Sequence, residues 1–210
     1  MVARDGYLEK LKSVMWDGNI KVITGLRRSG KSTLLFELFN EYLTSNNVKS
    51  ENILKIELDK RKDFAYRNPI ALCDYVEKIV TAKKDERFYL FIDEVQLSKN
   101  AVVKTEYGEE EVTIYDMLNE LKDYKNLDVY VTGSNSKMLS SDIATEFRGR
   151  SSQIHVYPLS FKEVYLFYGG TARDVLDKYM LFGGMPALIG KKTDREKMEY
   201  LSTLFEETYL

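Results

Sequence analysis

Cysteine is nearly absent from the sequence. Cys73 is the only one among 210 residues, so no disulfide can form within the chain and no zinc site can be built from cysteines. Long apolar runs are also absent, since none approaches the roughly 18 residues that a membrane-spanning helix needs. The first residues lack the apolar segment of a signal peptide. We therefore expect a soluble, cytoplasmic protein.

An excess of charge of either sign is missing as well. The chain has 31 Lys and Arg against 33 Asp and Glu, a formal net charge of −2. This balance excludes the strongly basic surface of a dedicated nucleic-acid-binding domain, although it allows a local basic patch. Hydrophobic residues make up 44% and charged residues 30%, which is typical of soluble globular domains. The length suits one substantial core with a small second lobe.

The stretch "GLRRSGKST" (residues 25–33) matches the pattern G-x-x-x-x-G-K-[ST] of a phosphate-binding loop. The preceding run "IKVIT" (20–24) is short, apolar and β-branched, which predicts a buried strand. After the loop, apolar residues recur at helical spacing: Leu34, Leu35, Leu38, Phe39, Tyr42 and Leu43. The motif thus lies between a strand and a helix, as such a loop requires. This context argues against a chance match in a glycine turn.

Each position of the loop has a predicted role. Gly25 and Gly30 allow backbone conformations that a Cβ would forbid. Lys31 would reach the β and γ phosphates of a nucleotide, the Ser32 hydroxyl would bind Mg²⁺, and Thr33 would contact the α phosphate. The backbone amides of the other loop residues complete the predicted binding set: Leu26, Arg27, Arg28 and Ser29. The side chains of the two arginines either add charge near the phosphates or face a partner.

The stretch "RFYLFIDE" (87–94) is an apolar strand that ends in two carboxylates. We expect Asp93 to hold the Mg²⁺ shell and Glu94 to orient and deprotonate an attacking water. The alternative is a solvated strand end, which the apolar strand before the pair disfavours. Because a small-molecule kinase needs no water-activating base, the acidic pair favours hydrolysis.

Two later segments supply candidates for the remaining polar groups. At the end of the strand 127–134, Thr132, Ser134 and Asn135 could respond to the γ phosphate. We favour Ser134, with Asn135 next, against a simple turn role. In "FRGR", Arg150 is the preferred candidate for an arginine finger that acts on a neighbouring subunit, ahead of Arg148. A surface salt bridge is the alternative for Arg150.

Strands alternate with helices up to about residue 158, and the pattern is helical from Ser160 onward. The predicted strands are 20–24, 52–59, 87–94, 127–134 and 153–159, with a hairpin insertion over 101–115. The predicted helices are 5–16, 31–43, 69–80, 115–124 and 136–146. This alternation indicates an α/β fold with a parallel sheet and a helical lobe. We place a nucleotide-binding domain at 1–158 and a helical lid at 159–210.

In this order, the motifs resemble the AAA+ ATPase superfamily, and within it a prokaryotic family of predicted ATPases with an arginine-rich P-loop. The matching stretches cover residues 20–186: "GLRRSGKST", "FIDEVQ", "VTGSNSKMLS", "EFRGR", "PLSFKEV" and "YMLFGGMP". The resemblance implies a three-layer P-loop NTPase sandwich with sheet order 5-1-4-3-2, ATP with Mg²⁺, and a helical lid. Members usually continue into a C-terminal domain that contacts DNA or a protein partner, so we expect this chain to be truncated before it. The superfamily's additional lid arginine cannot be assigned to Arg173 or Arg195.

Two functions remain open at this point. The first is an ATP-hydrolysing module, active as a homo-oligomer, that drives a partner or a missing domain. The second is a nucleotide-dependent switch or scaffold with negligible hydrolysis on its own. Glu94 favours the first. A subunit that needs an arginine from its neighbour would hydrolyse slowly as a monomer and would imitate the second.

Overall fold

Five parallel strands form the central sheet of the computed structural model, which describes residues 2–106, 108–133, 147 and 151–209. A separate two-stranded hairpin is inserted between the third and fourth strands of that sheet. In chain order, the strands are β1 Ile20–Thr24, β2 Ile53–Glu57, β3 Phe88–Asp93, β4 Ala101–Thr105, β5 Gly108–Val112, β6 Leu127–Thr132 and β7 Ser151–His155. The hairpin is confirmed as β4 and β5, which pair antiparallel.

The strand order of the main sheet is β2-β3-β6-β1-β7. The hairpin adds two strands to the numbering. Counted without it, the five parallel strands read 5-1-4-3-2 from the β7 edge, as the resemblance implies. This order places β1 between β6 and β7, with β3 beside β6. The carboxyl ends of β1, β3 and β6 therefore lie together at one edge of the sheet.

Helices cover both faces of the sheet: α1 Asp5–Ser13, α2 Asn40–Ser45, α3 Pro69–Ala82 and α4 Ile114–Leu121. Side chains alternate along β1. Ile20 and Val22 pack in the core beneath α3 and α4, whereas Ile23 packs in the opposite core beneath α1 and the helix that follows the loop. Both cores are closed to solvent, and the result is the expected three-layer arrangement.

The helix after the loop differs from the α-helix that the spacing predicts. Residues Thr33–Phe39 form a π-helix, and α2 continues from Asn40. A π-helix pairs residues five apart along the chain. Leu34 and Phe39 are five apart, and both are fully buried in the same core as Ile23. Burial of this pair on one face suits the wider turn of a π-helix. The apolar spacing in the sequence does not by itself distinguish a π-helix from an α-helix.

The C-terminal lobe consists of α5 Phe161–Tyr168, α6 Ala172–Phe182, a short 3₁₀ helix Pro186–Gly190 and α7 Asp194–Tyr209. Ser160 and Glu163 form a reciprocal capping box that starts α5. The Leu159 amide donates to the Gly184 carbonyl at 2.7 Å, which attaches the "GGMP" turn to the segment leaving the sheet. Across the described ranges, no helix is both long and apolar enough to cross a membrane.

Candidate phosphate-binding site

The loop between β1 and the π-helix is a tight turn that needs its glycines. Gly25 has φ 143° and Gly30 has φ 96°, values that favour glycine. A Cβ on Gly25 would lie 2.1 Å from the carbonyl oxygen of Val156, just beyond β7. Arg28 is left-handed at φ 64°, and the Ser29 amide donates to the Leu26 carbonyl at 3.2 Å. The sequence pattern therefore corresponds to a folded loop that packs closely against the residue after β7.

Lys31 lies inside this loop and is only 4% exposed. Its Nζ donates to the carbonyls of Gly25 at 3.1 Å and Leu26 at 2.9 Å. Burial lowers the pKa of Lys31, and the nearby carboxylates of Glu94 and Asp93 oppose that shift. Lys31, the predicted phosphate-binding residue, therefore interacts electrostatically with both predicted acids, Asp93 and Glu94.

Ser32 and Asp93, the predicted metal pair, are in direct contact. The Ser32 hydroxyl donates to Asp93 Oδ1 at 3.0 Å, and the Thr132 hydroxyl donates to the same oxygen. Burial raises the pKa of Asp93, while these two hydrogen bonds act in the opposite direction. Parallel pairing of β3 with β6, with Ile92 opposite Val131, places Thr132 next to Asp93.

Glu94 marks an abrupt change of direction after β3. Its backbone is left-handed, with φ 53° and ψ 51°. Such a conformation in a residue other than glycine costs on the order of 1–3 kcal/mol and is often found at functional sites. The Glu94 amide donates to the Thr132 hydroxyl at 3.2 Å, and Gln96 Nε2 donates to Glu94 Oε2. Thr132 at the end of β6 therefore holds the backbone of Glu94, and Gln96 in the 3₁₀ turn after β3 holds its carboxylate.

The candidate oxygen ligands for a metal, Ser32 and Asp93, lie on separate segments of the chain. No cluster of three or more His, Cys, Asp or Glu side chains that could hold a metal occurs in the part of the chain that the structure describes. The hydroxyl of Ser32 and the carboxylate of Asp93 suit Mg²⁺, which is commonly bound by one or two protein oxygens together with phosphates and water. These residues fit a metal that arrives with a nucleotide.

The two loop arginines are exposed, and Arg28 contacts the C-terminal lobe. Arg28 Nη2 lies 2.9 Å from Glu207 Oε2 on α7, and its guanidinium lies over the Tyr200 ring at 5.7 Å. Arg27 is exposed. For Arg28, the structure therefore favours contact with the lobe over added charge inside the loop. The other candidates, Ser134, Asn135, Arg148 and Arg150, and the helix predicted over 136–146 lie outside the described residues.

Two neighbours of the site were not predicted in their observed roles. Thr132 was one of three sensor candidates, and its hydroxyl also bonds the Asp93 carboxylate and the Glu94 amide. Arg4 donates to the Ser29 carbonyl of the loop at 3.0 Å from the start of the chain. Arg4 belongs to no motif, so only its isolated position before a predicted helix distinguishes it in the sequence.

Comparison with known proteins bears on the family of the chain. The family model of the AAA domain matches residues 17–165. An uncharacterized protein of Haemophilus influenzae is 32% identical over 218 aligned positions, which cover 100% of this chain and 50% of that protein. An uncharacterized protein of Methanocaldococcus jannaschii is 28% identical over 206 positions, covering 89% of this chain and 41% of that protein. The chain thus spans about half the length of the curated relatives it matches.

A solved structure supports the same fold. The Walker-type ATPase of Pyrococcus abyssi superposes with a TM-score of 0.53 at 16% identity, covering 89% of this chain and 65% of that one. At this identity the similarity concerns the fold alone. Together with the family match over residues 17–165, it leads to one assignment. The chain belongs to the AAA domain family of P-loop ATPases.

Proposed function

We propose that this domain binds ATP with Mg²⁺ and hydrolyses its terminal phosphoanhydride bond, and that this turnover drives a partner or a further domain. One observation carries the proposal. Lys31, Ser32, Asp93 and Glu94 meet at the carboxyl edge of β1 and β3, with hydrogen bonds or charge interactions linking each of them to another member of the group. A buried ammonium, a hydroxyl and a carboxylate for Mg²⁺, with a second carboxylate to position water, are groups suited to nucleotide hydrolysis by a P-loop protein.

Binding begins with the loop. Its backbone amides and Lys31 would hold the phosphates, and phosphate oxygens would replace the Gly25 and Leu26 carbonyls as acceptors for Nζ. Bonds between an ammonium and an anion are stronger than bonds to a neutral carbonyl, so this exchange favours the bound state. Burial of Lys31 adds to the gain because the phosphates compensate a charge that is poorly solvated.

Ser32 and Asp93 are the residues that would hold Mg²⁺. When bound, the metal would neutralise charge on the phosphates. Asp93 is fixed for this role by the Thr132 hydroxyl, which also bonds the amide of Glu94. A single hydroxyl on β6 therefore bonds both the carboxylate of Asp93 and the backbone of Glu94.

Glu94 is the proposed general base. Its left-handed backbone turns the chain away from the direction of β3, and Gln96 donates a hydrogen bond to one carboxylate oxygen. In the reaction, Glu94 would orient a water for attack on the γ phosphorus and accept its proton. A small-molecule kinase has no need for this group.

Several wider parts of the proposal follow from the sequence. We assign residues 1–158 to the nucleotide-binding domain and 159–210 to a helical lid, and Arg150 to a neighbouring subunit's site in a homo-oligomer. The expected partner is DNA or protein. The lobe exposes large apolar side chains, which favour a protein surface: Leu166, Met180, Leu181 and Met198.

The test is phosphate release from ATP with Mg²⁺, measured beside nucleotide binding. We expect Lys31→Ala to lose ATP binding, whereas exposed Lys78→Ala retains it. Glu94→Gln should bind ATP but hydrolyse it at least about a hundredfold more slowly, because it lacks the base. The exposed control Glu41→Gln should match the wild type. If the wild type binds ATP without releasing phosphate at any protein concentration, the domain is a nucleotide-dependent switch instead. Absence of binding would reject both functions.

A further inference from the structure

Arg4 is a buried guanidinium at the junction of three segments. It is 5% exposed, and all three of its nitrogens are engaged. Nε lies 3.0 Å from Glu163 Oε1 on α5, Nη2 donates to the Tyr157 carbonyl at 2.8 Å, and Nη1 donates to the Ser29 carbonyl at 3.0 Å. The guanidinium also lies over the Tyr7 ring at 4.4 Å. A buried charge is retained at low cost only when it is paired in this way.

The bond to Ser29 matters because of peptide geometry. The Ser29 carbonyl and the Gly30 amide belong to one planar trans peptide, so the two groups point in opposite directions. When Arg4 holds the carbonyl, the Gly30 N–H must point away from Arg4. Gly30 has φ 96°, a region where glycine turns freely, so its own backbone preferences do not fix this peptide.

We propose that Arg4 is a positioning residue for the loop: it fixes the Ser29–Gly30 peptide so that the Gly30 amide is presented to a phosphate group. Without Arg4, the peptide can rotate and present its carbonyl oxygen, which repels an anion. The proposal rests on the proposed function for the identity of the ligand, but the orientation of the peptide can be tested without nucleotide.

Glu163 provides a matched control. Glu163→Gln removes the charge partner of Arg4, while glutamine preserves the capping box with Ser160. If Arg4 only anchors the lobe, Arg4→Gln and Glu163→Gln should have similar effects. If Arg4 positions the peptide, only Arg4→Gln should disturb the loop.

The first measurement is the amide spectrum of the nucleotide-free protein. We expect the ¹H–¹⁵N signal of Gly30 to move and its hydrogen exchange to accelerate in Arg4→Gln, with little change in Glu163→Gln. Arg4→Lys keeps the charge but cannot span three acceptors, so it should give an intermediate shift; this variant decides the matter if Arg4→Gln does not fold. An unchanged Gly30 signal in the Arg4 variants, or equal changes in Glu163→Gln, would overturn the proposal.

The second measurement is affinity for MgADP, compared with thermal unfolding of the same variants. Arg4→Gln should weaken binding about tenfold to a hundredfold, as expected for loss of a hydrogen bond to a charged group, while Glu163→Gln stays close to the wild type. Equal losses of affinity in both variants would contradict the positioning role. If the wild type itself does not bind nucleotide, the proposed function fails, and the Gly30 comparison still decides the role of Arg4.

Discussion

At the scale of single residues, a fully buried lysine lies near the start of β1, the strand that leads into the phosphate loop. Lys21 of β1 is fully buried and bonds Asp128 Oδ1 at 2.5 Å and Asp17 Oδ1 at 2.8 Å. Asp128 also accepts hydrogen bonds from the Tyr130 hydroxyl at 2.8 Å and the Trp16 amide at 3.1 Å. This network attaches the segment between α1 and β1 to the central strand β6.

Removal of the central carboxylate should strongly destabilise the fold. In Asp128→Ala, the buried Lys21 loses its closest partner but keeps Asp17, so we expect a loss of up to about 3–5 kcal/mol, the cost of breaking a buried pair. Chemical denaturation of wild type, Asp128→Ala and the exposed control Asp123→Ala would measure the free energy of unfolding. A loss below about 1 kcal/mol for Asp128→Ala, within the range of surface pairs, would contradict the role of this network.

The same network predicts a dependence of stability on pH. Partial burial alone would raise the pKa of Asp17, but hydrogen bonds from Lys21, Ser152 and the Asn19 amide, together with the charge of Lys21, lower the pKa from the ordinary value of 3.8. A carboxyl whose pKa is lower in the folded state stabilises the protein above its unfolded pKa, and that contribution is lost as the pH falls. Asp17→Asn should therefore reduce stability at neutral pH and flatten its decline below about pH 4. Parallel pH–stability curves for Asp17→Asn and wild type would contradict this.

At the scale of elements, one close backbone approach helps to attach the lobe. A Cβ on Gly184 would lie 1.9 Å from the Leu159 carbonyl oxygen, whereas a Cβ on Gly190 meets nothing within 4 Å. Tyr179 of α6 also donates to that carbonyl at 2.9 Å. The "GGMP" turn, which has no chemical role in the sequence analysis, therefore has a packing role.

Gly184→Ala should loosen the lobe while leaving the sheet folded. Because the added methyl meets backbone, the turn must move away from Leu159. Hydrogen exchange should accelerate in α6 and the 3₁₀ helix 186–190 but not in β3 or β6. Gly190→Ala is the matched control and should resemble the wild type. If hydrogen exchange accelerated equally in the lobe and in the sheet, Gly184 would not stabilise the lobe alone, and the prediction would be contradicted.

At the scale of the whole molecule, the proposed arginine finger predicts dependence on protein concentration. If Arg150 completes a neighbour's site, phosphate release per chain should rise as protein concentration increases. Loss of an arginine finger lowers turnover by about 10³–10⁵-fold where such a residue operates. Arg150→Ala should therefore abolish the rise, whereas Arg87→Ala, at the amino end of β3 and thus at the end of that strand away from Asp93, should not. Normal turnover in Arg148→Ala/Arg150→Ala would contradict the assignment.

The sequence by itself determined the parallel α/β framework and the pairing of Lys31 and Ser32 with the acids at the end of β3. Those features depend on short-range patterns: apolar strands, a glycine loop and polar residues at strand ends. The tertiary structure decided which distant groups complete them. Thr132 reaches Asp93 across 39 positions, and Arg4 reaches Ser29 across 25. Such contacts depend on strand order and lobe packing, which no local pattern encodes.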